Sequence, residues 1–320
     1  MLKKVLLIMI SLIFIFMAGN MFANEEVNTQ EENKNIIVSA GGSEGIFIFD
    51  VSNPTKPLQI GHLDTVGEAK DVYISKNYVY VADGKNGLVV VDISDLTNPR
   101  QAGHLDTENA NGVYVSDNYA YVADTKNGLV IMDISEPENP KMVGHFETDG
   151  YAREVYVSGN YAYIADDYEG LMIVNISIPK NPIKIGQWKN ITLDVYVSEN
   201  YAFLISWKFV IIDVSNPEYP SIVEWLNTPN FGDDLYVSGN YAYIADDSGL
   251  FIMDISDPTN PKQVGHFDTD GKAQEVYVSD NYAYVSDEKQ RLIIVDVSDV
   301  TNPVLVSNMS GITLYEITGM

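Results

Sequence analysis

One phrase, an aspartate followed seven residues later by a proline, returns seven times along the chain, and its spacing limits the fold more than any other feature. It runs from Asp50 to Pro57, Asp92 to Pro99, Asp133 to Pro140, Asn175 to Pro182 (with Asn in place of Asp), Asp213 to Pro220, Asp254 to Pro261 and Asp296 to Pro303. Successive closing prolines stand 42, 41, 42, 38, 41 and 42 residues apart. A period of that length marks an array of supersecondary units, each too small to bury its own apolar face. The period is continuous from Ile36 onward, so one closed domain is predicted over 36–320.

The unit between Val113 and Phe146 shows the pattern. Val113–Ser116, Tyr119–Ala123, Leu129–Asp133 and Met142–Phe146 are short runs rich in Val, Ile, Tyr and Phe, bounded by Gly, Asn, Asp or Pro. That composition and punctuation predict four strands per unit. Two-residue links such as Lys76-Asn77, Asp117-Asn118 and Gly159-Asn160 join the first two strands, and their Asn or Gly tolerates the positive φ of a tight hairpin. Gly45, Gly87, Gly128, Gly170 and Gly249 recur before the third strand, where a longer loop needs a left-handed residue. The Asp and Ser of the proline phrase are suited to local turn hydrogen bonds.

Third strands such as Leu88–Val91 and Leu292–Val295 are apolar without alternation, so both of their faces must be covered. Four-stranded sheets stacked face to face around an axis achieve this, which is the β-propeller arrangement. The chain ends support a ring. The first unit begins at Ile36–Ala40, which aligns with Tyr78–Ala82 and lacks the preceding strand. Beyond Pro303, a segment through Ile312–Thr318 supplies one, so an all-β, seven-bladed propeller sealed by Tyr315–Thr318 is predicted.

Leu88-Val89-Val90-Val91-Asp92 and Leu129-Val130-Ile131-Met132-Asp133 resemble the LVIVD repeat of bacterial and archaeal exported proteins. The resemblance covers essentially everything from Ile36 onward. It implies an exported β-propeller of the cell surface, and no particular chemistry. Asn175 for Asp in unit four, and Ser206-Trp207-Lys208 for the Gly turn in unit five, put local turn geometry in question.

Residues 1–23 carry Lys3 and Lys4, an apolar run from Val5 to Phe16 and the small residues Ala18, Gly19 and Ala23, the pattern of a secretory signal. Met21 is a poor residue three before the cut, so an uncleaved anchor is the alternative. Residues 24–35 are polar and acidic and form a predicted flexible spacer. The expected location is extracellular or cell-surface, periplasmic where there is an outer membrane, with no stable membrane insertion after cleavage. Cysteine is absent, so packing rather than disulfides holds this domain. With 45 acidic residues against 19 basic, the surface repels nucleic acid and favours cations or basic partners.

All four histidines, His62, His104, His145 and His266, follow a glycine in the fourth strand. One per blade at the outer edge, they are expected to be packing or rim residues, too far apart to share a metal. No Cys nucleophile, GxSxG elbow, phosphate loop or HExxH motif is present, so the usual signatures of hydrolytic and nucleotide chemistry are missing. Acidic turns such as Asp83–Asn86, Asp166–Glu169 and Asp246–Ser248 lack the spacing of a calcium loop and read as solvated hairpins. Asn175, Asn190 and Asn308 open glycosylation sequons, a pattern that arises easily by chance.

Two constellations stand out. Asp71, Glu154, Asp194, Asp234 and Glu275 each precede a first strand, with Gly112 and Tyr315 at the remaining places. If first strands are innermost, five carboxylates face one mouth of the central channel. Such a ring binds a cation, for which calcium is the candidate, recruits basic neighbours, as Lys70 and Arg153 beside two of these acids suggest, takes up protons, or accepts backbone hydrogen bonds that pin the strands. The second is Trp188, Trp207 and Trp225, all in units four and five. They serve as a binding surface or fill space between blades. The preferred expectation is a non-enzymatic, monomeric binder of a protein or glycan at the cell envelope. A cation-dependent binder or enzyme at the acidic ring, and a purely structural envelope component, are the alternatives.

Overall fold

The computed structural model of the chain describes residues 35–228, 232–288, 291–310, 314 and 316–319. The predicted signal and residues 24–34 of the predicted spacer lie outside the described residues, as do Ile312, Thr313 and Tyr315. Asn35 already belongs to the domain: its N–H donates to Ser52 Oγ (3.1 Å) and its carbonyl accepts from Val51 N (2.9 Å).

The strands form seven four-stranded antiparallel sheets. Blade two is typical, running outward from Asp71–Ser75 through Tyr78–Ala82 and Leu88–Asp92 to Arg100–Leu105. Blades three to seven begin with inner strands at Gly112, Ala152, Asp194, Gly232 and Ala273. Blade one is composite. Its strands Ile36–Ala40, Ile46–Asp50 and Leu58–Leu63 are completed on the inside by Glu316–Gly319. Ala40 lies opposite Glu316 and Val38 opposite Thr318, so the ring is closed by the C-terminal strand.

The continuous apolar third strands are explained by what covers them. In Leu88–Asp92, Val89 and Val91 face the core shared with blade one, while Leu88 and Val90 face the core shared with blade three. Seven such clusters exist, one at each junction between blades. The closing one packs Leu314 and Ile317 against Ile37, Phe47, Phe49 and Leu292.

The proline phrase is a turn lock. In all seven copies the Ser N–H donates to the side-chain oxygen of the Asp or Asn two residues earlier, at 2.8–3.0 Å. Asn175 does this as well as the aspartates do, so its substitution leaves the geometry intact. In the hairpins the left-handed φ falls on the first link residue (Lys76, Asp117, Gly159, Glu199, Gly239, Asp280; φ 53–58°), not on the asparagine. The asparagine instead uses its carbonyl, as where Asn77 O accepts from Ile93 N at 2.8 Å.

The Gly-His pair of the outer strand has two mechanical uses. Each histidine Nε2 donates to a carbonyl of its own blade's turn between second and third strands: His62 to Glu44, His104 to Asn86, His145 to Asn127 and His266 to Ser248, at 2.6–3.1 Å. Each glycine lets the next blade's proline turn approach. A Cβ on Gly144 would stand 1.8 Å from Pro179 O, and one on Gly103 2.1 Å from Pro137 O. Where the seventh blade carries Ser307, its hydroxyl donates to Pro54 O instead. Gly144→Ala is therefore expected to cost about 1–3 kcal/mol through overpacking against backbone that cannot yield. Urea unfolding measures it, and a midpoint within error of the parent would remove this account of the motif.

Candidate functional site

The inner strands run so that Asp71 lies opposite Ala82, beside the turn Asp83–Gly87. One face of the ring therefore gathers the starts of the inner strands, the turns between second and third strands, and the loops between blades. Two features of this face stand out, the channel and a notch between blades four and five.

Alternate residues of the inner strands point into the channel, whose wall includes Asp71, Glu154, Asp194, Asp234 and Glu316. Glu275 faces the wider entrance of about 320 Å³, with Lys70 and Arg153. The ring's seventh place belongs to Glu316 rather than Tyr315, because Glu316 pairs with Ala40 as Asp71 pairs with Ala82. Six carboxyls thus gather, not five. The gap at Gly112 is filled from its neighbour, since a Cβ there would meet the Glu154 carboxylate at 2.6–2.8 Å.

These carboxyls do pin strands. Asp71 accepts the Val113 N–H of the next blade, Asp194 that of Leu235 (3.0 Å) and Asp234 that of Val276 (2.7 Å). They also confront one another. Burial, then the charges of its neighbours, raises Glu154, and the same causes raise Asp194, Glu275 and Glu316 well above the ordinary range. Asp71 is pushed up to about 7 by burial, against the pull of two backbone N–H groups. Asp194 lies against Asp234, and Glu275 against Glu316, and like charges so close favour the form in which one carboxyl of a pair keeps its proton. Among the described residues, no group of three or more His, Asp or Glu side chains is placed to hold one metal ion. Arg153 and Lys70 do not neutralise the ring: Arg153 pairs with Asp167 (2.7 Å) and Lys70 bonds to Asn111 (3.0 Å).

Below the carboxyls lies a tier of tyrosines that the sequence reading passed over. Tyr73, Tyr114, Tyr156, Tyr196, Tyr236 and Tyr277 contact in succession, with ring centroids 4.8–5.5 Å apart. Thr318 takes the seventh position on the channel wall. The signal was the recurring Val-Tyr-Val-Ser phrase, whose tyrosine sits two residues after each carboxyl and hence on the same face. Burial raises the hydroxyls of Tyr73, Tyr156, Tyr196, Tyr236 and Tyr277, so these stay neutral.

The acidic turns are not the solvated hairpins expected. Asp83, Asp124, Asp166, Asp246 and Asp287 are buried. Asp83 accepts from Thr65 Oγ1 (2.7 Å), Gly67 N (3.1 Å) and Asn86 Nδ2 (2.7 Å), bracing the turn against the loop between blades. Blade five has Ser206 in that place.

There the 38-residue step is explained. Ile205 to Phe209 spans four residues where Ala82 to Leu88 spans six. The loop from Trp188 to Asp194 spans six where Leu63 to Asp71 spans eight. These two loops meet, and shortening both opens a cavity of about 230 Å³ lined by Trp188, Asn190, Thr192, Ser206, Trp207 and Lys208 among others. Trp188 also packs in the core between blades four and five, so it fills space and lines the notch at once. Trp207 is 66% exposed and Trp225 45%. Trp225 stands where other outer strands carry histidine, with Lys208 Nζ 3.3 Å from its ring centre, a cation–π contact. The structure thus brings Trp188 and Trp207 together and sets Trp225 beneath the adjoining lysine.

Sequence comparison agrees with the repeat geometry. The LVIVD-repeat model matches residues 40–65, 66–107, 109–148, 149–189, 191–228, 232–269 and 270–310. The chain belongs to the LVIVD-repeat family. No curated protein sequence matches it. Among solved structures, this LVIVD-repeat protein is similar to the computationally designed Ika8 protein (TM-score 0.67, 11% identity, 88% of this chain and 87% of that one). It is also similar to AztD of Citrobacter koseri (TM-score 0.63, 12% identity, 90% and 98%). A hypothetical selenium-binding protein of Sulfolobus tokodaii gives TM-score 0.67 at 10% identity, covering 89% and 93%. Identities this low establish a shared fold only.

Proposed function

We propose that this LVIVD-repeat protein is a non-enzymatic binding module, exported to the cell surface, that holds a protein or glycan partner at the notch between blades four and five. The observation that carries the reading is Trp207, 66% exposed on the face of the inter-blade loops, in the shortened turn of blade five and on the wall of the notch. A large exposed aromatic beside a cavity is the usual anchor of an interface. The N-terminal lysines, apolar run and small residues of residues 1–23 support export. Trp207→Ala is expected to leave the melting temperature within about 1 °C, as surface substitutions do, and to cut capture of envelope components about tenfold or more. Undiminished capture by the variant would reject the notch.

A second reading places a cation at the channel mouth, favoured by the convergence of six carboxyls. Calcium binds carboxylates weakly in extracellular modules. Millimolar calcium is then expected to raise the melting temperature at pH 8, and Glu275→Gln to reduce that rise. A melting curve indifferent to calcium removes the second reading and leaves the first standing.

A further inference from the structure

We infer that the notch between blades four and five takes an acidic sugar residue, with its ring against Trp207 and its carboxylate on Lys208; this rests on the notch being the binding site proposed above.

The argument starts from charge. The chain carries 45 acidic and 19 basic residues, yet among the described residues that line this cavity Lys208 is the only charged one. Among the described residues no carboxylate lies within ion-pair distance of Lys208. Its ammonium instead sits over the Trp225 ring at 3.3 Å, a contact that holds the side chain in place and leaves the charge to be matched. Lys189, next to Trp188, is paired with Glu169 at 3.2 Å and contributes less. A single cation in an acidic protein selects an anionic group locally, while the long-range field opposes a uniformly charged polymer. One acidic residue within an otherwise neutral chain satisfies both.

Shape and polarity indicate the rest of the ligand. About 230 Å³ is below the ~300–1,000 Å³ of pockets that enclose drug-sized molecules, so one ring enters and the remainder stays outside. The wall combines indole surface from Trp188 and Trp207 with the amide of Asn190 and the hydroxyl of Ser206. That mixture matches a pyranose, which has apolar C–H faces and a hydroxyl rim, better than it matches a purely aromatic side chain. A Lys-to-carboxylate hydrogen bond is charge-assisted and stronger than a neutral one. The notch exists because two loops shortened together, and Ser206 replaced the buried aspartate that braces them elsewhere. An aspartate in that place would put a carboxylate near the bound anion.

The test is titration of the full chain with an oligosaccharide containing one glucuronic acid residue and with its neutral glucose counterpart, followed by tryptophan fluorescence and calorimetry. The acidic oligosaccharide is expected to bind on the order of tenfold more tightly and to shield Trp207 from acrylamide. Lys208→Gln should bring the two affinities within about twofold, and Lys208→Arg should keep the preference. Trp207→Ala should weaken both ligands. Equal affinity for the two oligosaccharides in the parent protein, or binding of neither, overturns the inference. If neither binds but Trp207→Ala still loses capture of envelope components, the sugar is wrong and the binding face survives. If Trp207→Ala changes nothing, the face itself falls.

Discussion

Ending the chain at Ser310 is expected to abolish the single cooperative unfolding transition. The strand Glu316–Gly319 is the inside strand of blade one, and it touches the inner strands of both neighbours, Asp71–Ser75 and Ala273–Ser279. Its removal deletes Leu314 and Ile317 from the seventh inter-blade core, where both are buried, and uncovers Ile37, Phe47 and Phe49. Burying one such aliphatic side chain contributes about 1.5–3 kcal/mol, and cavity terms add to the loss. Domains are stable by only ~5–15 kcal/mol, so an opened ring keeps little margin. Because each blade contacts only its neighbours, an opened array unfolds from its ends as other repeat arrays do. The urea transition should broaden and its slope fall by about a third or more. Ile317→Ala, a milder lesion, should lower stability by about 2–4 kcal/mol while keeping the slope. A truncated chain with the parent's midpoint and slope would show that the C-terminal strand does not seal the ring.

That closure was legible because a missing strand at one end and a spare one at the other follow from a strict period. The period also exposed the strand count, the left-handed glycines such as Gly87 (φ 76°) and the Asp–Ser turn lock. Residue-level detail was harder where a repeat departs from consensus. Glu316 was misplaced by one because Thr318 stands where other units carry tyrosine, so the Val-Tyr alignment cue is missing from the last strand. The buried aspartates looked solvated since a turn's composition does not reveal which side chain folds back under a neighbouring loop. The notch between blades four and five was signalled only as a short step of 38 residues. Its depth depends on two separate loops meeting across an interface, which no local pattern encodes.

Thermal stability is expected to rise as pH falls from 8 to 5, the reverse of an ordinary acidic protein losing carboxylate pairs. Burial holds Asp71 at about 7, and Glu154, Asp194, Asp234, Glu275 and Glu316 are raised as well. In the unfolded chain such groups release their protons near pH 4. From there up to the folded values the native state holds more protons than the unfolded one, so stability is highest below the window and is lost as pH climbs through it. The share of Asp71 is on the order of a few kcal/mol between pH 5 and pH 7. At ~2–4 °C per kcal/mol that is a melting temperature higher at pH 5 by about 5–10 °C. The turn aspartates Asp92, Asp133, Asp213, Asp254 and Asp296 act oppositely, held low by hydrogen bonds from the serine two residues on. Their contribution is present above about pH 4 and lost below it, so the maximum falls near pH 4–5. A formal net charge of −26 also destabilises the fold at high pH, but long-range repulsion is screened by salt. In about 0.5 M NaCl the residual pH dependence belongs to the buried ring, and Asp71→Asn should reduce it by the share of that one carboxyl while still accepting the Val113 N–H. Equal melting temperatures at pH 5 and pH 8 in that salt would mean the channel carboxyls are ionised and solvated, and that the ring holds strands by charge alone.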